Sequence, residues 1–389
     1  MTQAPRRPLL PLLREETRKA CHFEVMLYFW ILPLVGILGF GLLYARRVGR
    51  DFPITVVDLD QTYATRTAVQ FLDATPELRV VSVVEDEAIA RAQFERQEVL
   101  AVVILPHGLL QSVKHRRPVD GAVVIDSRNL VVVNSVYMGI QKALGYSIAG
   151  AKFSIVKRVF PPRQTMQKIL PVRVVSRSLG NPSVDYALFI LSGLLIMLIQ
   201  QCTLVGSAVG LTGETEGGTL AASVTAAGGP LRFLLVRGLA LLALQVPVTL
   251  TLLAVFYGLL GMPAGSPVLS FLLLTVFSAA VLAFSQFVAM LARRRLALLQ
   301  GLVLFSMPAF FLSGYTWPRE NMTAPVRWLS HLLPSTPSLD AFPRLNLIPG
   351  AETYLPAWLL WLGALIGLYL AAGWLLLRRR VARTPSAPE

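Results

Sequence analysis

Only two of the 389 residues are cysteine, Cys21 and Cys202, and only four are histidine: His22, His107, His115 and His331. Two cysteines make no disulfide framework, and the four histidines show no metal-ligand spacing, so redox and metal chemistry are not expected. Charge is scarce too. Asp, Glu, Lys and Arg make up 15% of the chain and hydrophobic residues 54%, whereas an ordinary soluble domain is roughly one quarter charged. Much of the apolar material must face something other than water, so the chain reads as an integral membrane protein. Its formal charge of +14 would suggest nucleic acid in a soluble protein; in a membrane protein the position of each charge decides its meaning, and no nucleic-acid partner is expected.

Two further absences concern energy supply. No G-x-x-x-x-G-K-[ST] run occurs, so the chain has no recognisable phosphate loop and does not read as an ATPase. The interiors of the apolar runs hold no ionisable side chain, as an ion-coupled carrier usually would; Asp185 and Arg237 lie near ends. The interior polar groups are mainly Gln200, Gln201, Gln245, Gln286 and Gln300, which read as interhelical glue ahead of a translocation path.

Six runs are long enough to cross a bilayer: residues 25–45, 184–211, 233–260, 268–292, 296–315 and 355–377. The first is longer than the apolar core of a signal peptide, begins late and has no small-x-small site after it, which favours a signal anchor. With the amino terminus in the cytoplasm, Arg232, Arg237, Arg293 to Arg295 and Arg378 to Arg380 share that side, opposite the short loop 261–267, as the positive-inside rule requires. The expected fold is a membrane all-α bundle of six transmembrane helices with an inserted extracytoplasmic α/β domain. The expected domains are a cytoplasmic amphipathic segment (1–24), a first transmembrane helix (25–45), the extracytoplasmic domain (46–183), a five-helix transmembrane domain (184–377) and a cytoplasmic tail (378–389).

Within the insert, β-branched runs at 54–58, 79–84, 100–105 and 119–125 read as strands, with helices at 62–74 and 86–97 between them. Asp58-Leu59-Asp60 invites a divalent-metal reading, and with it a membrane-bound transferase. A strand ending in Asp before a helix is more commonly turn and cap chemistry. From Ser127 to Val184 no acidic residue occurs among nine basic ones: Arg128, Lys142, Lys152, Lys157, Arg158, Arg163, Lys168, Arg173 and Arg177. This stretch, helical through at least 131–157, is either a solvated surface or a contact for anionic lipid, an acidic partner or an anionic substrate.

After the second run the chain reads Thr212-Gly213-Glu214-Thr215-Glu216-Gly217-Gly218-Thr219-Leu220, an acidic, glycine-rich turn suited to docking on a basic surface. Here Glu214, Glu216, Gly218, Thr219 and Leu220 match the acidic-x-acidic-x-Gly-Thr-Leu loop of the membrane subunits of ABC type-2 exporters. The segment Leu13-Arg14-Glu15-Glu16 to Lys19 resembles that family's interfacial helix, and Pro33 lies at its common Leu-Pro position. Val56 to Thr62 and Ile104-Leu105-Pro106 resemble its external insert; Leu312 to Met322, Pro334 and Gly350 resemble the approach to its last span. The order of these matches along the chain carries the resemblance.

The resemblance implies a permease, with both termini cytoplasmic in a bacterial inner membrane, that exports an amphipathic, drug-like or lipid-like substrate. It implies a cytoplasmic ABC ATPase as partner, a second permease copy or paralogue, membrane lipids around it and a periplasmic adaptor in Gram-negative efflux systems. No cofactor is expected on the chain itself; ATP acts through the partner. Coupling to that ATPase is expected at Glu214, Glu216, Gly218 and Thr219 and on the helix carrying Arg14 and Glu15, with no catalytic residue. The alternative class is a non-transporting scaffold or receptor whose outer domain binds a partner.

Overall fold

The computed structural model describes residues 8–20, 23–44, 51–115, 120–126, 128, 130–156, 186–292 and 294–382. The elements in chain order begin with α1 (Leu9–Ala20), α2 (Phe23–Met26), a π-helical turn (Leu27–Ile31) and α3 (Leu32–Leu43). Then come β1 (Phe52–Asp58), α4 (Tyr63–Asp73), β2 (Leu78–Val84), α5 (Glu87–Glu95), β3 (Ala101–Leu105), α6 (Leu109–His115), β4 (Ala122–Ile125) and α7 (Leu130–Val156). The rest is helical: α8 (Tyr186–Glu216), α9 (Leu220–Ala227), α10 (Pro230–Ala254) running into a second π turn (Val255–Leu259), and α11 (Pro267–Leu291). They are followed by α12 (Arg295–Leu312), α13 (Ala324–Ser330), α14 (Ser335–Leu347) and α15 (Leu355–Ala382). The chain divides into two compact units, Met1–Ala45 with Ser178–Glu389, and Arg46–Arg177.

In the first unit five helical stretches are long and apolar enough to cross a membrane: Tyr186–Glu216, Pro230–Leu259, Pro267–Leu291, Arg295–Leu312 and Ala351–Ala382. The run expected at 25–45 differs. Its apolar helix covers Leu27–Leu43, which rises about 26 Å against a hydrocarbon thickness of roughly 30 Å. Residues 45–50 and 181–185, including Ala45, Val184 and Asp185, lie outside the described residues, and Arg293 does as well. Among the described residues five helices reach span length by themselves, and the first expected run is covered by this shorter apolar helix, continuous with α2 from Phe23 to Leu43.

α8 is the centre of this unit, packing against α3, α11, α12 and α14. Lipid removes the hydrophobic drive between helices, so close approach and interhelical hydrogen bonds hold them instead. Gly206 shows how: a Cβ there would lie 2.6 Å from the Phe29 ring. The glue assigned to the glutamines holds for Gln201, whose Nε2 donates to the Leu302 carbonyl at 3.0 Å. Ser285 Oγ likewise donates to the Leu204 carbonyl at 2.8 Å. Away from the centre, Leu360, Leu368 and Leu375 on α15 and Val303, Leu304 and Met307 on α12 are exposed, as lipid-facing side chains should be.

The second unit is a four-stranded sheet of order β2-β1-β3-β4. β1 pairs in parallel with β2 and β3, and β4 closes the edge antiparallel to β3. A central parallel strand is apolar on both sides, and β1 accordingly buries Ile54 and Val56 among residues of α4 and α7 while Val57 joins Ala90 of α5 on the other face. The expected strands and helices appear with ends shifted by a few residues; β4 is shorter than 119–125, and residue 119 is outside the described range.

The Asp58 and Asp60 carboxylates are occupied by backbone donors. Asp58 Oδ1 accepts the N–H of Gln61 at 2.8 Å, where Gln61 takes a left-handed φ of 49°. Asp60 accepts the N–H groups of Gly108 at 2.8 Å and Leu110 at 3.0 Å and the Thr62 hydroxyl at 3.0 Å, tying the start of α6 to the loop after β1. This is the turn and cap chemistry expected. The described members of the basic stretch have acidic partners: Arg128 pairs with Asp126, and Lys142 Nζ lies 2.8 Å from Glu77. Lys157, Arg158, Arg163, Lys168, Arg173 and Arg177 lie outside the described residues, as does the Lys152 side chain.

Burial raises the Asp60 pKa, but the donors from Leu110, Gly108 and Thr62 outweigh it and hold the carboxyl below its ordinary 3.8. A depressed carboxylate contributes stability above its unfolded pKa and loses it as pH falls through the folded value. The protection factors of the Gly108 and Leu110 amides, exchange measured against the intrinsic rate at each pH, should therefore hold down to pH 4 and fall below it. In Asp60→Asn exchange should already be about tenfold faster at pH 7, since an amide oxygen accepts more weakly than a carboxylate.

Candidate functional site

The acidic turn joins the end of α8 to α9. Gly217 N–H returns to the Gly213 carbonyl and Thr219 N–H to the Glu214 carbonyl, a reversal that requires a left-handed residue. Gly218, at φ 69°, provides it without a Cβ penalty. Thr219 stands at the N-cap of α9; its hydroxyl donates to the Glu214 carbonyl at 3.4 Å, outside the usual capping pattern. A second glycine corner follows, with Gly228 at φ 81° and Gly229 at φ 131°, and Pro230 opens α10 in the position where its missing N–H is harmless.

The two glutamates diverge. Glu216 is exposed, and its Oε1 accepts the backbone N–H of Arg295 at 2.6 Å. This carboxylate from one helix caps the first turn of another, α12, where unpaired N–H groups and the helix dipole both favour negative charge. Glu214 points inward. Its Oε1 lies 2.6 Å from Nη1 of Arg237 on α10, and the same Nη1 lies 3.2 Å from Oε2 of Glu16 on α1. Glu16 is 8% exposed and Arg237 7%. Arg237 also sits over the Phe233 ring, 5.9 Å from its centroid. The guanidinium thus fastens together the surface helix α1, the end of α8 and the start of α10.

Close packing makes room for it. A Cβ on Gly210, one turn before Glu214, would stand 2.8 Å from Arg237 Nη2. α1 lies along α10, and Leu12, Glu15 and Glu16 line a crevice of about 20 Å³ with Ser223, Ala226, Ala227, Phe233 and Val236, scarcely larger than one water.

Of the residues expected to couple, the structure brings Glu214, Gly218 and Thr219 together in one turn, sends Glu216 to α12, and leaves Arg14 and Glu15 on the exposed side of α1. Sequence reasoning missed Glu16 and Arg237. The signal was present: Glu16 follows Leu12 by four residues and Leu13 by three, so it interrupts the apolar stripe of α1. Arg237 interrupts an apolar run of α10. Two opposite charges, each misplaced for its own helix, are a pair in waiting.

Residues 24–375 match the model of the ABC-2 family transporter proteins. The chain belongs to that family. Among curated relatives it is similar to the "Probable multidrug ABC transporter permease YbhR" of Escherichia coli strain K12 and to the protein of the same name in Escherichia coli O157:H7, each 26% identical over 160 residues. The alignment covers 41% of this chain and 43% of each relative, so the chain spans less than half the length of the relatives it matches. This ABC-2 chain is accordingly a membrane permease of the ABC transporter class, and its charged fastening lies at the basic end of the bundle.

Removing one member of a buried ion cluster leaves the others uncompensated, at about 3–5 kcal/mol. For this ABC-2 permease, Arg237→Leu leaves Glu16 and Glu214 side by side and should lower the melting temperature of the purified chain most. Glu214→Gln should cost less, and Glu16→Gln least, because its contact is the longer one. A melting temperature unchanged in Arg237→Leu would show the fastening to be dispensable.

Proposed function

We propose that the chain is the permease subunit of an ATP-driven ABC exporter, moving an amphipathic, drug-like or lipid-like substrate out of the cytoplasm or the inner membrane. The basic end of the bundle faces the cytoplasm, both termini with it, and the sheet-containing unit faces the periplasm. Energy comes from a separate cytoplasmic ATPase; a second permease copy or paralogue completes the membrane assembly, and a periplasmic adaptor extends it. The family supports a transporter, and the multidrug naming of the relatives supports a drug-like substrate.

The observation that carries this reading is the buried Glu16–Arg237–Glu214 cluster. A partner pressing on a surface helix moves nothing unless the helix is fixed to the spans. Here α1 offers Arg14 outward and Glu16 inward, and the turn at 216–219 is exposed while its root at Glu214 is held. A push on either is delivered to α8 and α10 through one guanidinium, and to α12 through Glu216.

Gentle purification from native membranes should bring down a stoichiometric ATPase subunit, and the complex should hydrolyse ATP. Reversing the outward charge in Arg14→Glu should reduce substrate-stimulated turnover at least about fivefold while leaving the melting temperature unchanged, since exposed charges contribute little to stability. Changing both Glu214 and Glu216 to Arg should reduce turnover further, with a loss of stability. Isolation without an ATPase and without turnover would overturn the exporter reading in favour of a scaffold.

A further inference from the structure

One face of α8 is polar deep inside the bundle. Gln200, Thr203, Ser207, Gly210 and Glu214 recur at steps of three and four, which at 100° per residue places them in a single stripe. Gln200 is 2% exposed, and Thr203 and Ser207 are each 1%. Among the described residues, Gln200 Oε1, Thr203 Oγ1, Ser207 Oγ and Glu214 Oε2 are all buried without a hydrogen-bond partner. The neighbouring helices answer in kind: Arg237 Nε and Gln245 Oε1 on α10 and Gln286 Oε1 on α11 are buried and unpartnered too.

Two contacts place Gln286 beside this stripe. Ser285 Oγ reaches the Leu204 carbonyl, which sets Gln286 level with Thr203 and Ser207. A Cβ on Gly238 would lie 3.2 Å from Gln286 Nε2, which sets Gln286 beside the residue next to Arg237. The two hydroxyls are also unlike others in the spans. Ser192, Thr212, Thr249 and Ser278 each donate to the carbonyl four residues back, the cheapest satisfaction a helix provides. Thr203 and Ser207 do not use that option.

So many unmade hydrogen bonds at hydrocarbon depth are not tolerated in a dry interior. A buried water is retained where two to four polar groups converge on it. We propose that this seam between α8, α10 and α11 holds a file of ordered waters, extending about 21 Å from Glu214 to Gln200. Waters exchange partners as helices shift, so the seam is a surface along which α8 moves against α10 and α11 without breaking a dry interlock. The inference concerns hydration and stands apart from the direction or substrate of transport.

Radiolytic labelling by X-ray pulses generates hydroxyl radicals from bound water itself and requires no reagent to enter. In the full chain in its membrane, Thr203→Cys and Ser207→Cys should oxidise at least about tenfold faster than the native buried Cys202, which is turned 100° from Thr203 on the same turn. Should the cysteine variants fail to fold, Gln245→Met keeps side-chain size and is read against the native Met197. Rates equal to those of Cys202 or Met197 would show a dry seam and overturn the proposal.

Discussion

Burying a guanidinium among apolar helices is unfavourable unless its charge is met on the spot. That constraint organises the basic end of this protein. Arg237 needs carboxylates within reach, so Glu214 must end α8 and Glu16 must face inward from α1; Gly210 must lack a Cβ, and Phe233 must lie flat beneath. Each of these residues looks ordinary alone, and each is required once the arginine is inside.

The arrangement turns a peripheral helix into part of the bundle. α1 is short, twelve residues, and a helix of that length holds only through its contacts. Its leucines provide adhesion, which is tolerant of sliding. Its glutamate provides direction and register, because a hydrogen-bonded ion pair is lost with an ångström of displacement. Adhesion with register is what a lever needs, whereas adhesion alone would give a float.

Much of the fold was legible in the sequence because lipid imposes a coarse rule: about twenty apolar residues, flanked by charge. Five spans and all four strands followed from that rule and from β-branched alternation. The first span was less legible, since run length counts residues but does not register a π turn or where regular helix stops. The site was half legible. The acidic loop announced itself, yet composition could not say that Glu214 turns in while Glu216 turns to α12, nor that Glu16 is the residue of α1 buried against Arg237. Those choices depend on helical phase and on a neighbour 221 residues away in sequence.

Among the described residues two helical runs contain a π turn, at Leu27–Ile31 and at Val255–Leu259. Such a turn accommodates one residue more than the α-helix on either side. Each is therefore a local surplus, where the chain can lose one residue and settle into plain α-helix while both flanks keep their facing. In the second, the surplus coincides with Tyr257, whose hydroxyl donates to Asn346 of α14 at 2.8 Å. The surplus residue of this span and the anchorage of its far end thus fall at one place, so a deletion that removes the surplus also shifts the anchor.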